Sequence, residues 1–380
     1  MVPGADTQPD ADPARGAPAV STLHIPLGTT DRRKCKQRWG GAVPRTRARS
    51  LLSTRATEHE WLEARRGTEH DWRIGASEFA AVLGSSPHTS AFSLWWAKQG
   101  TWARPEANTA MVVGHKLEDV IGGLWADAHP DMMLCRPGSA LYGHYAPAHE
   151  WLVCTPDFLA VRNLVDSCTH GADCEVHPDS NRQHNFDAVP ILTVEPVECK
   201  SDDGGKGWGK PGTDEVPFHH RVQVYTQCEI LGATRGHLMR LAGKRPAAYV
   251  LPYDADARGK MGRWLEEGRD FIQTLYNNDP PDPDGHSATT EALQQIYAGF
   301  VDGKEVTLPN ELVNDYQFFH DELARIKEQF EEAKNKVRAA LGDGQLGVDV
   351  AGRKVVKRNI YKKRGYEVGP QQVDELRRMS

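Results

Sequence analysis

From about His59 onward, the apolar positions of the chain switch repeatedly between helical and strand periods. His59 to Arg66 carries Trp61 and Leu62 beside paired arginines and predicts a short helix. Phe79, Val82 and Leu83 recur at helical spacing, with Ser77 placed to act as N-cap, where its hydroxyl would satisfy an orphan backbone donor. A helix start is equally a ready-made anion site, so both readings of Ser77 stand at this point. A second apolar segment, Phe92 to Trp96, follows Pro87, and Met111 to His129 predicts a helix with Leu117, Ile121 and Leu124 on one face. Glu118 lies beside that stripe, either as a solvated flank residue or as a ligand turned into a cleft.

Met132 to Arg136 and Trp151 to Val161 read as two strands. The second carries Asp157 just after Pro156, a proline that confines its position to an edge or a strand end. Ile191 to Lys200 is the next strand, and a glycine-rich loop from Gly204 to Gly212 follows it. Trp208, Lys206 and Lys210 make that loop a candidate mobile lip over a nucleic-acid groove. His219 to Gly232 predicts a helix, and Gly236 to Gly243 with Ala247 to Tyr253 predicts a hairpin. A long amphipathic helix then sets Trp264, Leu265, Phe271, Ile272 and Leu275 on one face. Beyond a Pro/Asp/Gly break at Pro280 to Gly285, Leu312 to Leu341 is a charge-laced helix, and Val348 to Tyr361 is a basic strand pair turning at Ala351-Gly352.

These breaks divide the chain into a disordered basic and Pro/Gly-rich tail (1–55), a catalytic domain (56–279), a linker (280–289), and a C-terminal helical appendage with a basic hairpin (290–380). Between Arg32 and Arg49 the tail holds eight Lys/Arg and no acid, which suits either disorder or tethering to DNA. Residues 163–190 read as an inserted loop. Its Cys168, His170, Cys174 and His177 have spacing that permits zinc but matches no common finger pattern. A net charge of −6 excludes wholesale coating of DNA and assigns nucleic-acid contact to local clusters such as Arg353, Lys354, Lys357, Arg358, Lys362, Lys363 and Arg364. No run approaches the roughly 18 apolar residues of a membrane span, and seven cysteines form no disulfide framework, so the expected compartment is the cytoplasm.

The chemistry is concentrated between Trp151 and Leu231. On a strand, residues i and i+2 share a face, so Glu198 and Lys200 point the same way. If Asp157 ends an adjacent strand, its carboxylate and that of Glu198 can hold Mg²⁺, a hard cation that prefers oxygen ligands. Lys200 then stands where it can orient or deprotonate an attacking water and offset developing phosphate charge.

Glu118, Asp157, Glu198-Cys199-Lys200 and Gln223, taken in order on helix, strand, strand and helix, resemble the YqaJ-type phage exonucleases. These are relatives of lambda exonuclease within the PD-(D/E)xK nuclease superfamily. Gly114-x3-Glu118 resembles the family's helix glutamate, Thr155-Pro156-Asp157 its metal-binding aspartate, and Gln223-Val224-Tyr225 its Gln-x-Gln helix, with Tyr225 in place of the second glutamine. Trp61-x3-Arg65 and Ile74-Gly75-Ala76-Ser77-Glu78 resemble the element that engages a DNA 5′-phosphate. The interval from Arg65 to Ser77 is longer than usual, so Arg65, Arg66 and Arg73 all stand as the phosphate arginine.

The resemblance implies an α/β (α+β) restriction-endonuclease-like core, a central mixed sheet flanked by helices. It further implies catalysis by Glu118, Asp157, Glu198, Lys200 and Gln223, with Mg²⁺ (or Mn²⁺) on Asp157, Glu198 and Glu118. The implied activity is 5′-to-3′ digestion of linear double-stranded DNA ends, leaving 3′ single strands for a single-strand annealing protein, by a toroidal homo-oligomer. Two rivals remain: a different nuclease of the superfamily, such as an endonuclease or helicase-associated repair nuclease, and a non-catalytic DNA-binding protein.

Overall fold

The computed structural model describes residues 47–101, 109–162, 194–202, 206–299 and 301–360. The Cys168/His170/Cys174/His177 zinc option, most of the basic tail, and Lys362, Lys363 and Arg364 lie outside the described residues. The chain divides into two compact units, Met1–Ile296 and Tyr297–Ser380.

In the first unit, β1 (Arg49–Leu52) precedes α1 (Glu58–Arg66), the short strands β2 (Gly67–Thr68), β3 (Asp71–Trp72) and β4 (Ile74–Gly75), and α2 (Ala76–Val82). Helices α3 (Ala91–Lys98) and α4 (Thr109–Ala128) follow, then β5 (Met132–Cys135), β6 (Leu141–Gly143), β7 (Leu152–Cys154), β8 (Phe158–Arg162) and β9 (Val194–Asp202). The unit closes with α5 (Phe218–Leu231), the hairpin β10 (Arg235–Ala242) and β11 (Arg245–Pro252), α6 (Ala255–Asn277) and α7 (Ser287–Ile296). The helix starts follow local chemistry: Thr57 and Glu60 form a reciprocal capping box at α1, and Asp254 caps α6. Among the described residues, no helix is long and apolar enough to cross a membrane.

The main sheet has the order β11-β10-β9-β8-β5 and is mixed, since β9 and β10 run parallel across α5 while the other neighbours are antiparallel. Strand alternation gives it two distinct faces. Phe158, Ala160, Val197, Cys199 and Met239 turn toward Ile121 and Trp125 of α4, whereas Leu159, Val161, Val194 and Leu238 join the larger core with Val222, Tyr225 and Phe271. Contact with α4 is close: a Cβ on Gly122 would come within 2.5 Å of the Phe158 ring. The fold class is therefore the expected mixed sheet flanked by helices.

A second sheet, β1-β6-β7-β4, was only partly legible. The strand predicted from Trp151 to Val161 is two strands in two sheets, β7 in this one and β8 in the main one. Pro156 offers no N–H to a ladder, and the Thr155 hydroxyl accepts a hydrogen bond from the Trp61 indole instead, so the chain leaves one sheet and enters the other within three residues. A further difference concerns α7, which falls in the stretch read as linker and appendage. It buries Ala288, Thr289 and Ala292, with Ala292 packed beside Phe92 of α3.

The second unit holds α8 (Asn310–Leu341) and the hairpin β12 (Leu346–Val348) and β13 (Lys354–Lys357). Arg358 donates to the Gly342 carbonyl at 2.6 Å, tying the hairpin to the end of the helix.

Gly268 shows how tightly α6 seats on the first unit, since a Cβ there would lie 2.3 Å from Trp151 and 2.7 Å from Phe79. Alanine would gain about 1 kcal/mol of helix propensity but force overpacking that costs roughly 1–3 kcal/mol. Gly268→Ala is therefore expected to lower the urea unfolding midpoint; a raised midpoint would show that α6 slides freely.

Candidate active site

Glu198 is buried in β9 and gathers donors on both oxygens. Its Oε1 accepts from Lys200 Nζ at 2.6 Å and from Gln223 Nε2 at 2.6 Å, and its Oε2 accepts from Gln227 Nε2 at 2.7 Å. The lysine reaches it because i and i+2 share a strand face, and the two amides do so because i and i+4 share a helix face. Asp157 stands just before β8. Continuing the Phe158↔Val197 pairing by one step sets it opposite Glu198, and its Oδ2 accepts the Cys199 N–H at 2.8 Å.

The electrostatics follow from this crowding. Burial pushes the Asp157 carboxyl well above the usual carboxylate range and the neighbouring Glu198 charge adds to it, while Lys200 and the Cys199 N–H oppose the rise. Burial pulls the Lys200 ammonium down, but the Glu198 and Asp157 charges outweigh that, leaving it above its ordinary value and hence cationic at neutral pH. Two oxygen-donating carboxylates held face to face, one of them resisting ionisation, form a donor set that a divalent cation would relieve.

Glu118 is placed differently from the other carboxylates. Its helix, α4, covers the Val197/Cys199 face of the sheet, opposite the Glu198 face, and its carboxylate meets His115 at 2.8 Å and Arg136 at 3.3 Å. Its charge still contributes to the rise at Asp157. Among the described residues, no group of three His, Cys, Asp or Glu side chains is spaced to share a metal ion.

The three candidate arginines separate clearly. Arg65 donates to Ser77 Oγ at 2.6 Å and lies 5.0 Å from the Trp61 ring centre. Arg66 donates to the Lys98 carbonyl, and Arg73 pairs with Asp71 and the Ala64 carbonyl, so neither joins Ser77. Gly75 permits the Arg65 pose, since a Cβ there would sit 2.7 Å from its Nε.

The N-cap of α2 is Gly75, which corrects the capping role read for Ser77. The Glu78 carboxylate takes the Gly75 N–H at 2.8 Å and is itself held by Lys98 at 3.0 Å, leaving Ser77 exposed in the first turn. Because β4 runs parallel to β7, with Ile74↔Leu152 and Gly75↔Val153, the start of α2 emerges beside Thr155. Trp61, Arg65, Ser77, Thr155, Gln223 and Gln227 line one open cleft.

Two features were missed in the sequence. Gln227 lies one helical turn beyond Gln223 and supplies the second amide that Tyr225 does not, a spacing visible as i, i+4. The glycine-rich loop, read as a mobile lip, is anchored in its described part: Trp208 packs on Tyr249 and His220 with Arg240 over its ring, and Tyr249 Oη donates to the Gly209 carbonyl. Burial, with the Lys200 charge next, pushes the His220 imidazole down to about 2, so this ring is neutral beside the lysine.

Gln227 is fully buried and Gln223 only partly. Gln227→Met is expected to cost roughly 1.5–3 kcal/mol of folding stability, the range for a hydrogen bond to a charged group, and Gln223→Met less, where water can reach the oxygen. Equal losses in urea unfolding would contradict this ordering.

Residues 60–234 match the model of the YqaJ-like viral recombinase domain. Comparison with curated proteins found no match. Similar solved structures include an alkaline exonuclease, LHK-Exo, from Laribacter hongkongensis, at 16% identity and a TM-score of 0.38, covering 58% of this chain and 94% of that one. The structure of LHK-Exo in complex with dAMP gives 16% identity and a TM-score of 0.38, with 63% and 98% covered. Residues 60–234 are thus similar to the YqaJ-like viral recombinase domain, and the chain is a nuclease enzyme.

Proposed function

We propose that this nuclease digests one strand of linear double-stranded DNA from its 5′ end, leaving 3′ single strands for a single-strand annealing protein in the cytoplasm. The observation that carries the reading is the single cleft in which the Arg65–Ser77 pair and the Gln223/Gln227 amides of the Glu198 cluster meet. A terminal phosphate bound at one end of that cleft sets a phosphodiester against the carboxylates at the other.

Asp157 and Glu198 would hold a divalent cation, Mg²⁺ with Mn²⁺ as substitute, and Glu118 would join from the far face once freed from Arg136. When bound, that ion supplies Lewis-acid activation of water and of the scissile phosphate. The chain's own residues do the rest. Lys200, held beside Glu198, orients or deprotonates the attacking water and offsets charge developing on the phosphate. Gln223 and Gln227 hold Glu198 in one rotamer, which fixes the distance to Asp157. Arg65 supplies a planar, permanently charged fork suited to a phosphate, with Ser77 as its neutral partner. A toroidal homo-oligomer would keep the enzyme on its substrate despite the net charge of −6.

The test is Mg²⁺-dependent release of nucleotides from 5′-phosphorylated linear duplex, with closed circular duplex as control. Glu198→Ala and Lys200→Ala are expected to lower turnover by at least about 10³-fold, as loss of preorganised charge in a phosphoryl-transfer site does. Arg65→Ala and Ser77→Ala are expected to slow the phosphorylated substrate by about tenfold or more, the loss of one charge-assisted phosphate contact, and the 5′-hydroxyl substrate far less. Cutting of circular duplex, or equal effects on the two ends, would move the assignment to an endonuclease of the same superfamily.

A further inference from the structure

Among the described residues of the second unit, no element covers the apolar side of helix α8. Helix α8 has 32 residues, about 48 Å at 1.5 Å per residue, and none of them is buried. In globular proteins a long helix draws most of its stability from burying an apolar face. Among the described residues of its own unit, the hairpin meets α8 only at its C-terminal end, through Arg358 and Gly342.

The uncovered face has a strict order. Leu312, Tyr316, Phe319, Leu323, Ile326 and Phe330 succeed one another in alternating steps of four and three, and Ala333 and Val337 continue the series. The large members are all exposed. A straight helix with 3.6 residues per turn drifts away from such a 3.5-residue repeat, so the seam stays continuous only if the helix supercoils around another. Sustained over more than three heptads, this is the spacing of a coiled-coil core.

The flanking charges say which partner fits and in which direction. In the register set by that core, Asp315, Glu322 and Gln329 lie on one shoulder, and His320, Lys327 and Lys334 on the other. Against a parallel second copy, each residue of the first shoulder meets the residue five positions later on its partner, which gives Asp315 with His320, Glu322 with Lys327 and Gln329 with Lys334. An antiparallel copy would set Lys327 against Lys327 and His320 against Lys334. Glu322 is bound within its own helix by Arg325, an exposed pair of low worth that is readily exchanged.

We infer that α8 forms a parallel, in-register coiled coil with α8 of a second copy of this chain. The inference rests on spacing and charge in the second unit and is independent of the nuclease reading.

The full-length chain carrying Ala333→Cys tests it, because residue 333 meets its own counterpart only in the parallel register. After mild oxidation, most of the protein is expected to become a disulfide-linked pair. Mass spectrometry should identify a peptide joined to its own copy through position 333, with the chain without the substitution as background. Adding Leu323→Asp should lower the yield at least about tenfold, since it buries a carboxylate in the seam. Adding Glu322→Lys should also lower it, and Glu322→Lys with Lys327→Glu in one chain should restore it. These charge variants lie outside the apolar seam and leave a folded helix to read. Absence of a linkage between the two copies of position 333, a yield indifferent to Leu323→Asp, or failure of the double charge exchange to restore it would overturn the proposal.

Discussion

A buried carboxylate whose two oxygens must be satisfied governs the first unit. Glu198 lies inside the sheet-helix interface, where an unpaired charge would cost several kcal/mol, and three donors arrive on its two oxygens from one strand neighbour and one helix. That requirement fixes the phase of α5 against β9: a rotation of the helix that lifted Gln223 and Gln227 away would strand the charge. The same helix carries Val222 and Tyr225 into the core, so apolar burial and satisfaction of the carboxylate select one orientation. Asp157 then has little freedom, because the β8–β9 register sets its backbone and the Cys199 N–H sets its side chain.

Much of this was legible because strand and helix periods leave a direct imprint on sequence. Glu198 with Lys200 follows from the period of two, and the amphipathic faces of α4 and α6 follow from 3.6. What escaped reading depended on long-range pairing. The split at Pro156 is invisible as long as the apolar residues on either side look continuous, and which sheet each half joins is decided by partners as distant as Ile74 and Val197. Ser77 looked like a cap because serine commonly is one, yet Glu78, buried and held by Lys98, took the backbone donor instead. Gln227 falls outside a Gln-x-Gln pattern, which points to i+2, although side chains that share a helix face lie at i+4. The seam on α8 was likewise present in the sequence, but a helix laced with charge reads as solvated until the spacing of its apolar residues is counted.

Glu118 illustrates the limit of reasoning from order along the chain. Glu118 on a helix, Glu198 on a strand and Gln223 on a helix match the expected order, with Asp157 falling just before its strand, yet order does not say which face of a sheet a helix covers. The close approach of Gly122 to Phe158 presses α4 onto the face away from Glu198, and Arg136 holds the Glu118 carboxylate there. Its influence on the centre is felt through Asp157, whose carboxyl its charge helps to raise.

The crossing at Thr155-Pro156-Asp157 sets a length as well as a topology. Thr155 is fastened to Trp61, over whose ring Arg65 lies, and Asp157 is fastened to the Cys199 backbone beside Glu198. Residues two apart in a trans chain cannot separate by more than about 7 Å, and a proline between them removes much of the remaining slack. The two ends of the cleft are thus joined by a short covalent ruler. On the exonuclease reading, the distance from the seated end of the DNA to the bond that is cut is a property of three residues, insensitive to breathing of either sheet.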